Sequence, residues 1–134
     1  MKRIHFAVGL FAALACSGLQ AETVMRANIP FEFHMGKTFL PAGDYQFRYA
    51  SHVLTVQAEG GRAIALSLTY EEWRSKAPET PVVEFHRYGD LYFLSNIWTP
   101  DSREGAAVPK TAREKELLSR AQFKTEAIVL RTSR

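Results

Sequence analysis

Cysteine is all but absent. Cys16 is the only one in 134 residues, and it lies in a leader that export would remove. Without it the remaining chain has no thiol, tolerates an oxidising compartment without disulfides, and excludes thiol catalysis and Cys-based zinc sites. Long apolar runs are missing too. The longest near the N-terminus, Ile4 to Ala15, covers 12 residues, where a membrane-spanning helix needs roughly 20. Charge of one sign is equally scarce. The net charge is +3, and two of the 17 lysines and arginines, Lys2 and Arg3, belong to the leader, so the rest balances 15 basic against 14 acidic side chains. That balance argues against the clustered basic face a nucleic-acid binder needs.

Catalytic spacings are also lacking. His34, His52 and His86 form no His-x-His or His-x-x-x-His pair, so no metal site is expected and the histidines read as surface or interface residues. No serine stands in a Gly-x-Ser-x-Gly elbow or a Ser-x-x-Lys motif. The expectation is therefore no catalytic residue, no cofactor and no metal. Internal repeats and low-complexity segments are absent as well.

What is present begins with an export signal. Lys2 and Arg3 give a basic start, the apolar run follows, and Ser17 to Ala21 lead to a small residue suited to cleavage. The expected cut is after Ala21, with Ala13-Leu14-Ala15 as a competing site. Cys16 directly after Ala15 also has the look of a lipoprotein attachment site, although the usual Leu three residues earlier is Ala13 here. The chain is expected to be periplasmic or secreted, or membrane-anchored if Cys16 is lipidated. Residues 1–21 are then leader and 22–134 one domain, long enough to bury a core.

Period-two alternation dominates that domain. Ile29, Phe31, Phe33 and Met35 share one face of a first strand, with Pro30 suggesting an edge position or a strand start. Pro41-Ala42-Gly43-Asp44 makes a turn before Tyr45, Phe47 and Tyr49, and Ser51-His52 separates these from Val53 to Ala58. After Gly60-Gly61, Ile64, Leu66, Leu68 and Tyr70 alternate with the small Ala63, Ala65, Ser67 and Thr69. Val82 to Trp98 reads as a hairpin about Tyr88-Gly89-Asp90 with large apolar groups on both faces. One of its strands is expected to place Leu91, Phe93 and Ile97 together and Tyr92, Leu94 and Trp98 opposite. Glu71 to Pro81 and Thr99 to Pro109 read as loops.

Thr111-Ala112-Arg113-Glu114 is a capping box opening a helix over about 112–121, whose Leu117, Leu118 and Ala121 are expected to pack over the hairpin. Leu117→Asp should then bury an unpaired charge. Ala127 to Leu130 is a last strand that could pair with the first strand or with the hairpin. The predicted fold is mainly β: an antiparallel meander of about six to eight strands, forming a small barrel or a two-layer sandwich, with one short C-terminal helix. An open sheet with a partner-binding face is the alternative.

Two residue groups stand out as candidate sites. Glu84, His86 and Tyr88 share a strand face, where a Glu-oriented imidazole beside a phenol is geometrically allowed, though cross-strand pairing explains them equally simply. Arg62, Trp73 and Arg74, with Lys76, could offer a cation-and-aromatic surface for an anion or a sugar, or Trp73 could tuck against the end of the barrel.

The segments Ile29-Pro30-Phe31-Glu32-Phe33, Leu40-Pro41-Ala42-Gly43-Asp44-Tyr45 and Phe85-His86-Arg87-Tyr88-Gly89-Asp90-Leu91-Tyr92-Phe93-Leu94, with Trp98-Thr99-Pro100 and the Pro109 to Ala121 helix, together resemble a group of small exported bacterial proteins of unassigned function. The resemblance implies export and a β-rich fold, and it transfers no catalytic residue. Three functional expectations follow: a non-catalytic binding or structural module of the cell envelope, a small β-barrel carrying an apolar ligand, or a hydrolase with an unrecognised site. The partner is an unidentified envelope protein or a small ligand.

Overall fold

The structure, a computed structural model, describes residues 24–60, 64–100 and 102–133. The leader, its cleavage points, Cys16 and Arg62 lie outside the described residues. In chain order the elements are β1 (Val24–Ile29), β2 (Phe33–Met35), β3 (Thr38–Leu40), β4 (Gly43–Ala50), β5 (Val53–Ala58), β6 (Ile64–Leu68), β7 (Tyr70–Trp73), β8 (Val82–Tyr88), β9 (Leu91–Trp98), β10 (Glu104–Ala107), α1 (Ala112–Arg120), β11 (Lys124–Val129) and β12 (Arg131–Ser133). No helix among the described residues is long and apolar enough to cross a membrane.

Two sheets result. One has the order β12-β1-β4-β5-β6, and the other β11-β8-β9-β10-β7, with β2 beside β9 and β3 beyond β2. Both end in edge strands, so the fold is a two-layer sandwich and not a barrel. It is also not a simple meander, because four stretches carry the chain from one sheet to the other. Pro30 to Glu32 link β1 to β2, Pro41 and Ala42 link β3 to β4, Thr69 links β6 to β7, and Leu130 links β11 to β12. Proline at the first corner is apt, since it lacks the N–H that a continuing ladder would use. The last corner answers the pairing question twice: β11 pairs with β8 and β12 with β1. Leu130 at that corner is buried, and its N–H is satisfied by the Pro81 carbonyl at 2.8 Å.

Inward-facing residues of both sheets meet in one core. Met25, Ala27, Ile29, Tyr45, Phe47, Leu54 and Val56 come from one layer, and Phe33, Val83, Phe85, Leu94 and Ile97 from the other. Aromatic edges fill the space between layers: the Phe33 ring lies 5.3 Å from Tyr45 and 5.2 Å from Phe85, both near-perpendicular. The Tyr45 hydroxyl donates to the Pro41 carbonyl, so the buried phenol is satisfied while it fixes the turn before β4.

Five readings change. The first strand, expected to carry Ile29, Phe31, Phe33 and Met35 on one face, is divided at Pro30 to Glu32, so Ile29 ends β1 in one sheet and Phe33–Met35 form β2 in the other. The stretches Glu71 to Pro81 and Thr99 to Pro109 hold strands, since β7 and β10 pair with each other and β10 with β9. The face assignment along β9 is overturned by a bulge. Phe85 pairs with Leu94 and Glu84 with Asn96, leaving Ser95 as an extra residue. Tyr92, Leu94 and Ile97 therefore pack on the core, with Phe93, Asn96 and Trp98 on the outer face. The helix is not held by leucines, because Leu118 is exposed and Leu117 only half-buried, while Glu114 is its buried residue. Finally, Gly105 lies in β10 against Trp98 and not in an unconstrained loop.

The β4–β5 turn has an unusual backbone. Ser51 and His52 have φ of 52° and 64°, the two-residue hairpin geometry in which Asn-Gly is preferred and side chains at Cβ are strained. Replacing Ser51-His52 by Asn-Gly is expected to raise stability by about 1 kcal/mol. A urea titration would show it as a higher midpoint, and an unchanged midpoint would mean that the turn is unstrained.

Candidate functional site

The outer face of the larger sheet carries most of the partly buried polar groups. Alternation along β8 sends Val83 and Phe85 inward and Glu84, His86 and Tyr88 outward, and α1 begins over this face. The Thr111 hydroxyl caps the helix by accepting from the Glu114 N–H at 3.2 Å. The carboxylate of Glu114 turns to the sheet: the Tyr88 hydroxyl donates to Oε2 at 2.9 Å, and His86 Nδ1 lies 3.3 Å from the same oxygen. Phe123, just after the helix, stacks on the His86 ring at 3.8 Å.

The carboxylate-oriented imidazole beside a phenol is thus present, but its carboxylate is Glu114. Glu84, expected in that role, belongs to a second group. Trp98 Nε1 donates to Glu84 Oε1 at 2.8 Å, Arg74 stands 3.9 Å from Glu84 Oε2, and the Arg74 guanidinium sits 4.5 Å above the Trp98 ring. Of the expected surface of Arg62, Trp73 and Arg74, Arg62 lies outside the described residues, and Trp73 and Arg74 take different surroundings. Arg74 takes Trp98 as its aromatic partner. Trp73 is 63% exposed on β7 and so is not tucked against an end of the fold.

Between the two groups, Asn96 donates to Glu72 at 2.9 Å. A surface cavity of about 210 Å³ opens there, lined by Tyr70, Glu72, His86, Asn96, Lys110 and Glu114 among others. When His86 Nδ1 carries the proton it donates to Glu114, and Nε2 is then an acceptor, as a general base requires. Ser95 also lines the cavity, but its hydroxyl donates to the Glu84 carbonyl at 3.0 Å across the bulge. Among the described residues, no group of three or more His, Asp or Glu side chains could hold a metal ion. His34 stands apart between Phe39 and Phe93, where burial first, and then Arg113, lowers its pKa.

Burial raises the Tyr88 phenol far above its ordinary value of 10.0, and the hydrogen bond to Glu114 adds to the shift. A group whose folded pKa is raised contributes stability below its unfolded pKa and loses that contribution as pH rises toward the folded value. Wild-type stability is therefore expected to fall with pH above about 10, and Tyr88→Phe should flatten that decline. Parallel slopes for the two chains in alkaline urea titrations would show that Tyr88 is not the titrating group.

Glu104 and Glu71 form a further acidic pair at paired strand edges. Desolvation and then the neighbouring Glu71 charge raise the Glu104 pKa, while His52 opposes the shift.

The remaining outward feature is apolar. Ile64, Leu66 and Leu68 of β6 and Tyr70 of β7 all point away from the core, with Leu66 65% and Leu68 72% exposed. Ala65, from the small-residue face of the same strand, is the one that packs inside. Compared with protein-family models, curated proteins and solved structures, the chain matches none.

Proposed function

We propose that the protein is an exported, non-catalytic β-sandwich acting as a binding module of the cell envelope, with the outward stripe of β6 as its binding surface. The observation that carries this reading is the exposure of Leu66 and Leu68 on a strand whose opposite face already supplies the core. A contiguous exposed apolar patch on a folded domain is the usual mark of an interaction site. The test is a photoreactive residue at position 66 in cells that export the chain. A discrete adduct is expected from position 66 and none from position 46, which lies on the polar part of the same outer face. No adduct from position 66 would remove the reading. Export is tested by mass spectrometry of the mature N-terminus, expected at Glu22; a diacylglyceryl Cys16 would place the module on a membrane instead.

A hydrolase is the second reading, and the convergence of His86 and Glu114 on a cavity favours it. It ranks lower because the Glu114 oxygen facing His86 also accepts from Tyr88, and the nearby Ser95 hydroxyl is engaged with a backbone carbonyl. Ester hydrolysis by the wild type that His86→Asn abolishes would reverse the ranking. The apolar-ligand carrier draws no support from the interior, where Phe33, Tyr45 and Phe85 pack on one another.

A further inference from the structure

We infer that the occupant of the β6 stripe is a second copy of this chain, set β6 against β6 about a two-fold axis through Leu66. This rests on the stripe being the binding surface, and it names the partner.

Edge strands invite pairing, and natural sheets blunt them with charge, shortness or proline. The other edges here are blunted in this way. Glu71 and Glu72 lie on β7, Lys124 and Glu126 on β11, Arg131 on β12, and β3 has only three residues. β6 ends the five-stranded sheet, and its five residues, Ile64-Ala65-Leu66-Ser67-Leu68, include no charge, proline or bulge.

The pattern is also self-complementary. Antiparallel pairing centred on Leu66 sets Ile64 of one copy opposite Leu68 of the other, and Leu66 opposite itself, so apolar groups meet apolar groups throughout. Such an isologous contact is the commonest basis of homodimers. The neighbouring outer-face residues on β5 are Gln57, Thr55 and Val53, all uncharged, so two copies approach without like-charge repulsion. A dissimilar partner would have to present this pattern independently, whereas a second copy always carries it.

Ile64, Leu66 and Leu68 together expose apolar surface on the order of 300 Å² per copy, less than the ~800 Å² each partner gives to a standard interface. The dimer is therefore expected to be weak and reversible.

Sedimentation equilibrium of the mature chain from micromolar to millimolar concentration tests this. A monomer–dimer equilibrium is expected, weakened at least tenfold by Leu66→Lys and by Leu68→Lys, with melting curves showing both variants folded. Because the mature chain has no cysteine once Cys16 is removed, Leu66→Cys should give a disulfide-linked dimer under mild oxidation, and Gln46→Cys should not. A chain that stays monomeric at 1 mM, or a dimer that both lysine variants leave intact, would overturn the inference. An adduct from position 66 with a different protein, without self-association, would leave the binding-surface reading standing and remove only this one.

Discussion

Gly105→Val is expected to cost about 3 kcal/mol or more, making it the most damaging glycine substitution among the described residues. A Cβ at Gly105 would lie 2.3 Å from Trp98 Cε3 and 2.7 Å from two further carbons of the same ring. The indole cannot move aside cheaply. Trp98 is buried, its N–H is held by Glu84, and Arg74 covers the ring. Displacing it would break that hydrogen bond and unpack β10 from β9. Gly89 presents the opposite case: its φ of 62° is strained for any L side chain, but a Cβ there meets nothing within 4 Å. Gly89→Val therefore carries only a conformational penalty of roughly 1–3 kcal/mol. The sequence alone suggests the reverse ranking, because Gly89 sits in a visible hairpin turn and Gly105 in an apparent loop. Urea midpoints of the two variants decide the matter, and a less stable Gly89→Val would show that Trp98 yields to the added side chain.

The same example shows what one sequence can and cannot display. Alternation located β4, β5, β6 and the β8–β9 hairpin, because period two is a local property of half-buried strands, but it ran on through Pro30 to Glu32, where β1 and β2 part into different sheets. It missed β10, whose Glu-Gly-Ala-Ala reads as loop composition. Gly105 carries no side chain where Trp98 takes the space, and that is a tertiary requirement. The bulge at Ser95 is hidden for a related reason. It exists only in the pairing of β9 with β8, and one inserted residue exchanges the inward and outward sets beyond it. Along β6 the alternation was visible, yet it does not say which face points inward. Size suggests Leu66 and Leu68, but Ala65 is the residue that reaches the core.

The polar site was half legible. His86 and Tyr88 could be placed on one strand face, since same-face spacing is fixed by the pleat. Glu114 was visible only as part of a capping box, where its expected task was to bond backbone N–H groups. Its carboxylate serves Tyr88 and His86 instead, from 26 and 28 residues away. Nothing local records a partner at that separation.

Glu114→Ala is accordingly expected to detach the helix at a cost of about 2–3 kcal/mol. A nine-residue helix is marginal in water by itself, and its leucines offer little packing, so its attachment depends on the one buried carboxylate. Removing that group leaves the buried Tyr88 hydroxyl without its acceptor and frees the His86 ring from its charged partner. Glu114→Gln retains an oxygen acceptor of the same reach and should lose less than half as much. Leu117→Asp, which a leucine-packed helix would make the severe change, should be milder than Glu114→Ala because Leu117 is only half-buried. Hydrogen exchange separates local from global loss. In Glu114→Ala, protection should fall across Ala112–Arg120 and persist in β8 and β9, whose inward faces remain packed. Unaltered protection in the helix would show that other contacts hold α1 on the sheet.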